Sequence, residues 1–504
     1  MSFQIGKLIS LILQERFGII IEKVGNFLFE YGSNPLLYIM RGTELPLGKV
    51  KEALCILIKY GLVTFKPNNN ENIANYSLCI DNILLMTRYP KFLNLLKKKF
   101  GDESEMIIEE LLQNSYLSTS DIIVKVAERL KCDVNDLPNV RDKFVSLVVA
   151  KYIQRLPTPN EEERPVPILE IKESVLFSLP KIDMKLLSQV YLKKIPKEEL
   201  GETVFWIVNF DRFHQDMRDK YLVDAFTKKF DENVGEFVKL LLQQMYIRTD
   251  PWAETSNPVP LLEIKDIVRK KVIYPNLVTF FDQYVTVIEQ DPSQIIRKSG
   301  EASGGSFQIQ LKEAYNQIAW EIVEQVILEK FDSKAVRIFR LVKLKKFVEP
   351  DQIQQLAMIP SKEAKKLSYQ LLEENFLKLQ ELKRPLANNG PIKSFTLFYI
   401  DLESIVRNLL ELCYKTLYNA MTRKSHEKFI NKRIIDKKQR VDAIAMGIQS
   451  QGATEEQLAD IEDMITPPER EILGKIDRKM KKLNIEELEV DATIFLLQMY
   501  LKYQ

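Results

Sequence analysis

The segment Val50-Lys-Glu-Ala-Leu-Cys-Ile-Leu-Ile-Lys-Tyr-Gly-Leu-Val-Thr-Phe-Lys-Pro67 changes its period partway along. Val50, Leu54, Leu57 and Ile58 recur at helical spacing, so the first part reads as an amphipathic helix. Gly61 ends it. Leu62-Val-Thr-Phe65 then reads as a strand and Tyr76-Ser-Leu-Cys79 as its return, around Pro67 and the Asn-rich turn 68–70. Upstream, Leu8, Leu11 and Ile12, then Ile19, Ile20, Val24, Phe27 and Leu28, mark further helices, with a turn at 32–35 before the helix of Val50.

Helices followed by a strand pair, in this order, make a winged helix, and the order recurs. A second copy starts near Met106, with Ser118-Thr-Ser-Asp121 expected to cap a helix bearing Ile122, Ile123, Val126, Ala127 and Leu130. Its third helix carries Val140, Phe144, Leu147 and Val148 and closes at 151–153. A looser third copy runs from Val234, Phe237, Val238 and Leu241 to Phe280, Tyr284, Val285 and Ile288, with a wing through Ile295 and 307–311. In a fourth, Ile338, Leu341 and Val342 come first, Ser361 is expected to cap the helix of Leu367 and Leu371, and strands 376–382 and 394–400 form the wing. Gly61 and Lys151 lie 90 positions apart, and junctions near Asp291 and at Asn375 lie 84 apart, one compact module per copy. Pro157, Pro159, Pro165 and Pro167 with three Glu residues give the interval between the pairs a linker composition.

After Asp401 long helices replace strands, with Val406, Leu409, Leu410, Cys413, Leu417 and Met421 along one side; Thr466-Pro467-Pro468 restarts a helix. The expected fold is therefore mostly α with small β wings: four tandem, extended winged-helix domains and a C-terminal helical hairpin or coiled coil. The domains are drawn at 1–86, 87–156, 204–318, 319–400 and 401–504, with a linker at 157–203.

The chemistry that this sequence excludes is broad. Among 504 residues, 72 Lys+Arg against 70 Asp+Glu leave a net charge of +2, which is neither a basic nucleic-acid coat nor an acidic tail. Cys55, Cys79, Cys132 and Cys413 lie far apart with no CxxC, so no zinc ribbon or disulfide framework is expected. The apolar run at 8–13 is too short to span a bilayer. Only His214 and His426 are present. His426-Glu427 starts like a zincin helix, but Ile430 stands where its second His would be. The glycine-rich 300–306 lacks the Lys of a phosphate loop and reads as a hairpin tip, and Glu161 to Glu163 read as solvated charge. No metal, cofactor or catalytic residue is expected.

Several strings carry a more specific likeness: Leu13-Gln-Glu-Arg-Phe-Gly18, Asn209-Phe-Asp-Arg-Phe-His214, Lys298-Ser-Gly300 through Gly304-Gly305, Ala357-Met-Ile-Pro360 with Lys362-Glu-Ala-Lys365, and Thr493-Ile-Phe-Leu-Leu497. With the tandem modules, they make the chain, over essentially its whole length, resemble the four-winged-helix subunit of RNA polymerase III. That subunit is the large member of the enzyme's three-subunit initiation subcomplex and a relative of the alpha chain of TFIIE. The resemblance implies a non-catalytic nuclear protein that docks on the clamp of the largest subunit with a smaller winged-helix subunit and an acidic-tailed subunit. It also implies help in recruitment to a promoter-bound initiation factor and in opening DNA at genes for small untranslated RNAs such as tRNA and 5S rRNA. A winged-helix scaffold of another assembly, without DNA contact, is the alternative.

A winged helix can place its third helix in the major groove and its wing on the backbone. Lys49, Lys51 and Lys59 on the first module's third helix and Lys66 on its wing are therefore DNA-contact candidates, although its mixed charge also suits a protein-binding surface. Arg297 and Lys298, beside the glycine-rich tip, are the stronger candidates for weak, sequence-independent contact. Lys424, Lys428 and Lys432 repeat at i+4 and read as a solvated face. Ile494, Phe495, Leu497 and Met499 sit at a terminus that would fray unless buried, and are expected to pack in a stem.

Overall fold

The computed structural model describes residues 3–68, 72–131, 134–159, 165–180, 183–192, 204–271, 275–300, 305–384, 393–449 and 464–504. Cys132, Glu161 to Glu163, most of the Asn-rich turn, and residues 301–304 of the glycine-rich tip lie outside them. The chain divides into two compact units. The first comprises Met1–Asp216 and Lys415–Asp491, the second Met217–Tyr414 and Ala492–Gln504.

The first module fits its sequence pattern closely. Helices Phe3–Phe17, Ile19–Tyr31, Leu36–Thr43 and Leu47–Lys59 precede strands Val63–Pro67 and Ala74–Leu78. The hairpin pairs Val63 with Leu78 through Pro67 with Ala74, and Asn34–Pro35 adds a third strand beside Ala74–Leu78. Val50, Ala53, Leu54 and Leu57 are buried along the third helix, leaving its opposite side to solvent.

Two short devices build every copy. The first is a basic residue, Phe, then Gly or Asp, where a long leading helix turns into the module: Arg16-Phe-Gly18, Lys99-Phe-Gly101, Lys229-Phe-Asp231 and Lys330-Phe-Asp332. Gly18 and Gly101 adopt positive φ. Asp231 and Asp332 instead cap the next helix, accepting from the backbone N–H of Val234 and Ala335 at 2.9 Å. The second device is the left-handed turn that ends the third helix. Gly61, Lys151 and Asn375 have φ of 67°, 64° and 61°. In all three the next N–H donates to the carbonyl five residues back: Leu62 to Leu57, Tyr152 to Leu147 and Phe376 to Leu371, at 2.8–3.0 Å. This is the Schellman closure. The third module shifts it. Its left-handed residue is Gln294, three positions beyond the expected Asp291, because the stretch between the helix Phe281–Glu289 and the turn is longer than in the other modules.

In the second module the strand that completes the sheet is not where the proposed boundary at 156 puts it. Ile153–Arg155 and Leu117–Ser118 both pair with Phe205–Val208, which lies beyond the supposed linker and forms the centre of the sheet. Trp206 is fully buried there, its indole N–H donating to Thr119 at 2.8 Å and its ring meeting Phe144 edge-on. Nor is the interval a free tether: Thr158–Pro159 pairs with Leu169–Glu170, and helix Met184–Tyr191 lies on helix Thr119–Leu130 and buries Leu187 and Val190. Proline content suggested a linker, but these apolar positions make it an elaborated wing. Within the expected capping stretch it is Ser118 that caps the helix, accepting from the N–H of Asp121 at 3.2 Å.

The third module pairs Ile296–Ser299 with Ser306–Ile309, and Val259–Pro260 flanks the latter. The fourth has helices Ser333–Lys345, Pro350–Ala357 and Ser361–Glu373 and a long wing, Lys378–Arg384 with Lys393–Tyr399. Ser361 is the first helical residue rather than the cap; Pro360 precedes the helix with no side-chain hydrogen bond. Among the described residues, the C-terminal part has the helices Leu402–Ile430, Lys432–Gln449 and Pro467–Tyr503.

Candidate nucleic-acid interface

Lys49, Lys51, Lys59 and Lys66 are all exposed. Lys49, Lys51 and Lys66 have no carboxylate within 4 Å among the described residues. They do not converge, however. The side of Leu47–Lys59 opposite its buried stripe carries Gly48, Glu52 and Cys55 at its centre, so the first two lysines flank a carboxylate instead of forming a basic ridge.

On the third wing, Arg297 pairs with Gln308 and Lys298 with Phe307. Adjacent residues of a strand point to opposite faces. Phe307 is buried, so Lys298 is on the core-facing side, where its stem lies against Gly305 and its ammonium approaches Glu289 at 3.6 Å. Arg297 is on the outer face, exposed. Lys298 is exposed as well, but the two residues lie on opposite faces of the strand and do not act as one patch.

In the helices of the first unit the i+4 lysines are not equivalent either. Lys424 reaches Glu487 at 2.9 Å, while Lys437 pairs with Glu469 at 2.6 Å and Lys479 with Glu427 at 3.3 Å, bonds that tie neighbouring helices together. Lys428 and Lys432 are exposed.

Charged residues that sequence reasoning passed over hold the first unit's core. Asp491, 2% exposed, receives Arg88 at 2.8 Å and Lys91 at 2.9 Å, and Lys91 also donates to the carbonyl of Leu488. Asp216 gathers the Tyr152 hydroxyl, the Lys99 ammonium at 2.9 Å and the Arg212 guanidinium at 3.3 Å. Burial and that carboxylate push the Tyr152 hydroxyl well above its ordinary pKa, so it remains a donor. His214 sits beside these residues, its ring edge against Phe92. The signal for Asp491 was its place among apolar residues of a helical stripe, where an isolated carboxylate demands a cationic partner.

In the second unit the chain's end is buried. Ile494, Phe495 and Leu497 are at most 1% exposed and Met499 is nearly so. Phe495 meets Tyr221, and Tyr503 stacks on Tyr315 while accepting from Arg218 at 3.0 Å. Lys502 lies over the Trp252 ring at 3.1 Å. Among the described residues no cluster of three or more His, Cys, Asp or Glu could hold a metal, and no helix is long and apolar enough to cross a membrane.

Comparison with known proteins finds family models along much of the chain. The profile of the RNA polymerase III subunit RPC82 helix-turn-helix domain matches residues 7–68, and that of RNA polymerase III subunit RPC82 matches 159–318. The POLR3C C-terminal winged-helix domain matches 323–400, and the RPC3 helical hairpin domain matches 433–496. DNA-directed RNA polymerase III subunit RPC3 of Mus musculus is 37% identical over 528 residues, and that of Bos taurus 36% over 529, each alignment covering 98% of both chains. The Danio rerio protein of the same name is 33% identical, with 99% of both covered. Given likeness of this extent along four winged helices and the C-terminal hairpin, the chain belongs to the RPC3 family of DNA-directed RNA polymerase III subunits.

Proposed function

We propose that this chain is a non-catalytic, nuclear subunit of RNA polymerase III. It sits in a three-subunit initiation subcomplex on the clamp of the largest subunit, with a smaller winged-helix subunit and an acidic-tailed subunit. There it assists recruitment to promoter-bound initiation factor and opening of DNA at genes for small RNAs such as tRNA and 5S rRNA. Its own contact with DNA is weak and independent of sequence. The observation that carries the reading is likeness to RPC3 proteins along the whole chain, each module in order. The surfaces support a division of labour. Residues 102–155 hold 7 Lys+Arg against 10 Asp+Glu, and residues 232–310 hold 8 against 10. A slight excess of negative charge in these segments disfavours phosphate and suits protein partners.

Affinity capture of the tagged chain from nuclear extract, with identification of the co-purifying chains, tests this. RNA polymerase III subunits in stoichiometric yield are expected. A different assembly, or none, overturns the reading in favour of a scaffold elsewhere. Purified chain is expected to show no ATP hydrolysis or nuclease activity that tracks its own peak.

A further inference from the structure

The buried stripes of the third helices put the four modules in a common register: Val50, Leu54 and Leu57 correspond to Val140, Phe144 and Leu147, to Phe281, Val285 and Ile288, and to Ala364, Ser368 and Leu371. The side opposite each stripe is what a duplex groove would meet. At its two leading positions the first module has Gly48 and Glu52 and the second Pro138 and Asp142; the third, whose helix begins at Phe281, has Gln283 at the later one. The fourth has Lys362 and Lys366. One turn further on, it has Tyr369, 56% exposed.

The fourth module also has the charge for such a contact. Residues 333–399 hold 13 Lys+Arg against 6 Asp+Glu, whereas residues 19–79 hold 6 against 5 and the middle modules are acidic. Of the nearby carboxylates, Glu363 is bound by Lys334 at 2.5 Å and Asp351 lies 3.9 Å from Lys365, while Glu373, exposed in the last turn of the helix, shares the outward side seven residues beyond Lys366. Lys362 and Lys366 have no carboxylate within 4 Å among the described residues. Like charges at i and i+4 disfavour a bare helix and are relieved by an anion bound across them. At the far end of the wing, Arg384 pairs in register with Lys393.

We infer that helix Ser361–Glu373, flanked by the strands Lys378–Arg384 and Lys393–Tyr399, is the chain's main contact with duplex DNA, with Lys362 and Lys366 on phosphates and Tyr369 against the sugar edge. This rests on the proposed DNA contact and assigns it to the fourth module instead of the first or third.

Duplex binding by the full chain, followed by fluorescence anisotropy across a salt series, tests it. K362E/K366E is expected to weaken binding about 10-fold or more near 0.1 M salt, with the log–log salt slope falling by about 1.8 for two lost phosphate contacts. K362R/K366R is expected to retain both, and the milder K362Q/K366Q serves if the Glu pair fails to melt like wild type. R297E and K49E/K51E are expected to change the slope by less than half as much. Unchanged binding in the Lys362 and Lys366 variants, with loss in R297E, overturns the assignment and returns the contact to the third wing. Wild-type chain without salt-dependent duplex binding sinks the underlying DNA reading itself. Polyglutamate binding that needs both lysines, when duplex binding does not, marks the face as a site for an acidic peptide and overturns the proposal.

Discussion

Gly61, Lys151 and Asn375 make one left-handed turn with three different side chains. A Cβ at Gly61 would meet only the Asn82 amide at 3.9 Å, so a side chain there costs backbone strain and little else. Gly61→Ala is expected to cost about 1 kcal/mol, read as faster hydrogen exchange in Val63–Pro67. Asp491 presents the opposite case, a charge that must stay paired. Asp491→Ala removes the carboxylate that pairs with Arg88, itself 4% exposed, and is expected to cost about 3–5 kcal/mol in thermal melting. Replacing both by apolar residues is expected to recover much of that loss. Sequence reading named the Gly61 turn because glycine advertises it. It missed Asp491, since the cations that explain a carboxylate in that apolar stripe lie about 400 residues away in sequence. It grouped Arg297 with Lys298 because proximity in sequence hides the alternation of a strand.

The helix Pro467–Tyr503 opens on a capping box: Glu469 accepts from the N–H and hydroxyl of Thr466, both at 3.0 Å, and from Lys437 at 2.6 Å. The Lys437 ammonium, then the Thr466 donors, hold the Glu469 carboxyl at about 2, below its ordinary 4.5. A depressed carboxylate stabilises the fold above its unfolded pKa and loses that contribution as pH falls through the folded value. Fraying of residues 467–471, followed by hydrogen exchange, is therefore expected to grow between about pH 4.5 and 2. Glu469→Ala is expected to show the frayed start already at pH 7. The wings were legible to different degrees for a physical reason. In the first and fourth modules helix, turn and both strands are near in sequence; in the second the sheet is completed by Phe205–Val208, after a proline-rich interval that looked like tether. Leu187→Asp, in a helix of that interval, is expected to lower the melting temperature as core substitutions do, whereas a true linker would tolerate it.

The net charge of +2 conceals a chain whose charge is segregated, with acidic modules in the middle and a basic one in the fourth place. Composition alone could not reveal that, because the contributions cancel; only the repeat register exposes it. Burial of Ile494, Phe495 and Leu497 gives the terminus a comparable reach. A chain ending at Glu489 loses these side chains, each contributing about 1.5–3 kcal/mol, together with Asp491. It is expected either to fail to fold or to lose capture of the polymerase; wild-type yield and melting temperature would refute this. The order of synthesis matters as well. A ribosome that has just released residue 156 has produced Leu117–Ser118 and Ile153–Arg155 without the strand that belongs between them. The nascent second module must wait, two strand edges open, for almost fifty more residues before its sheet can zip shut. A recombinant fragment cut at 156 inherits the same open edges, whereas one carried through Asn209 includes the missing strand and is the one to express.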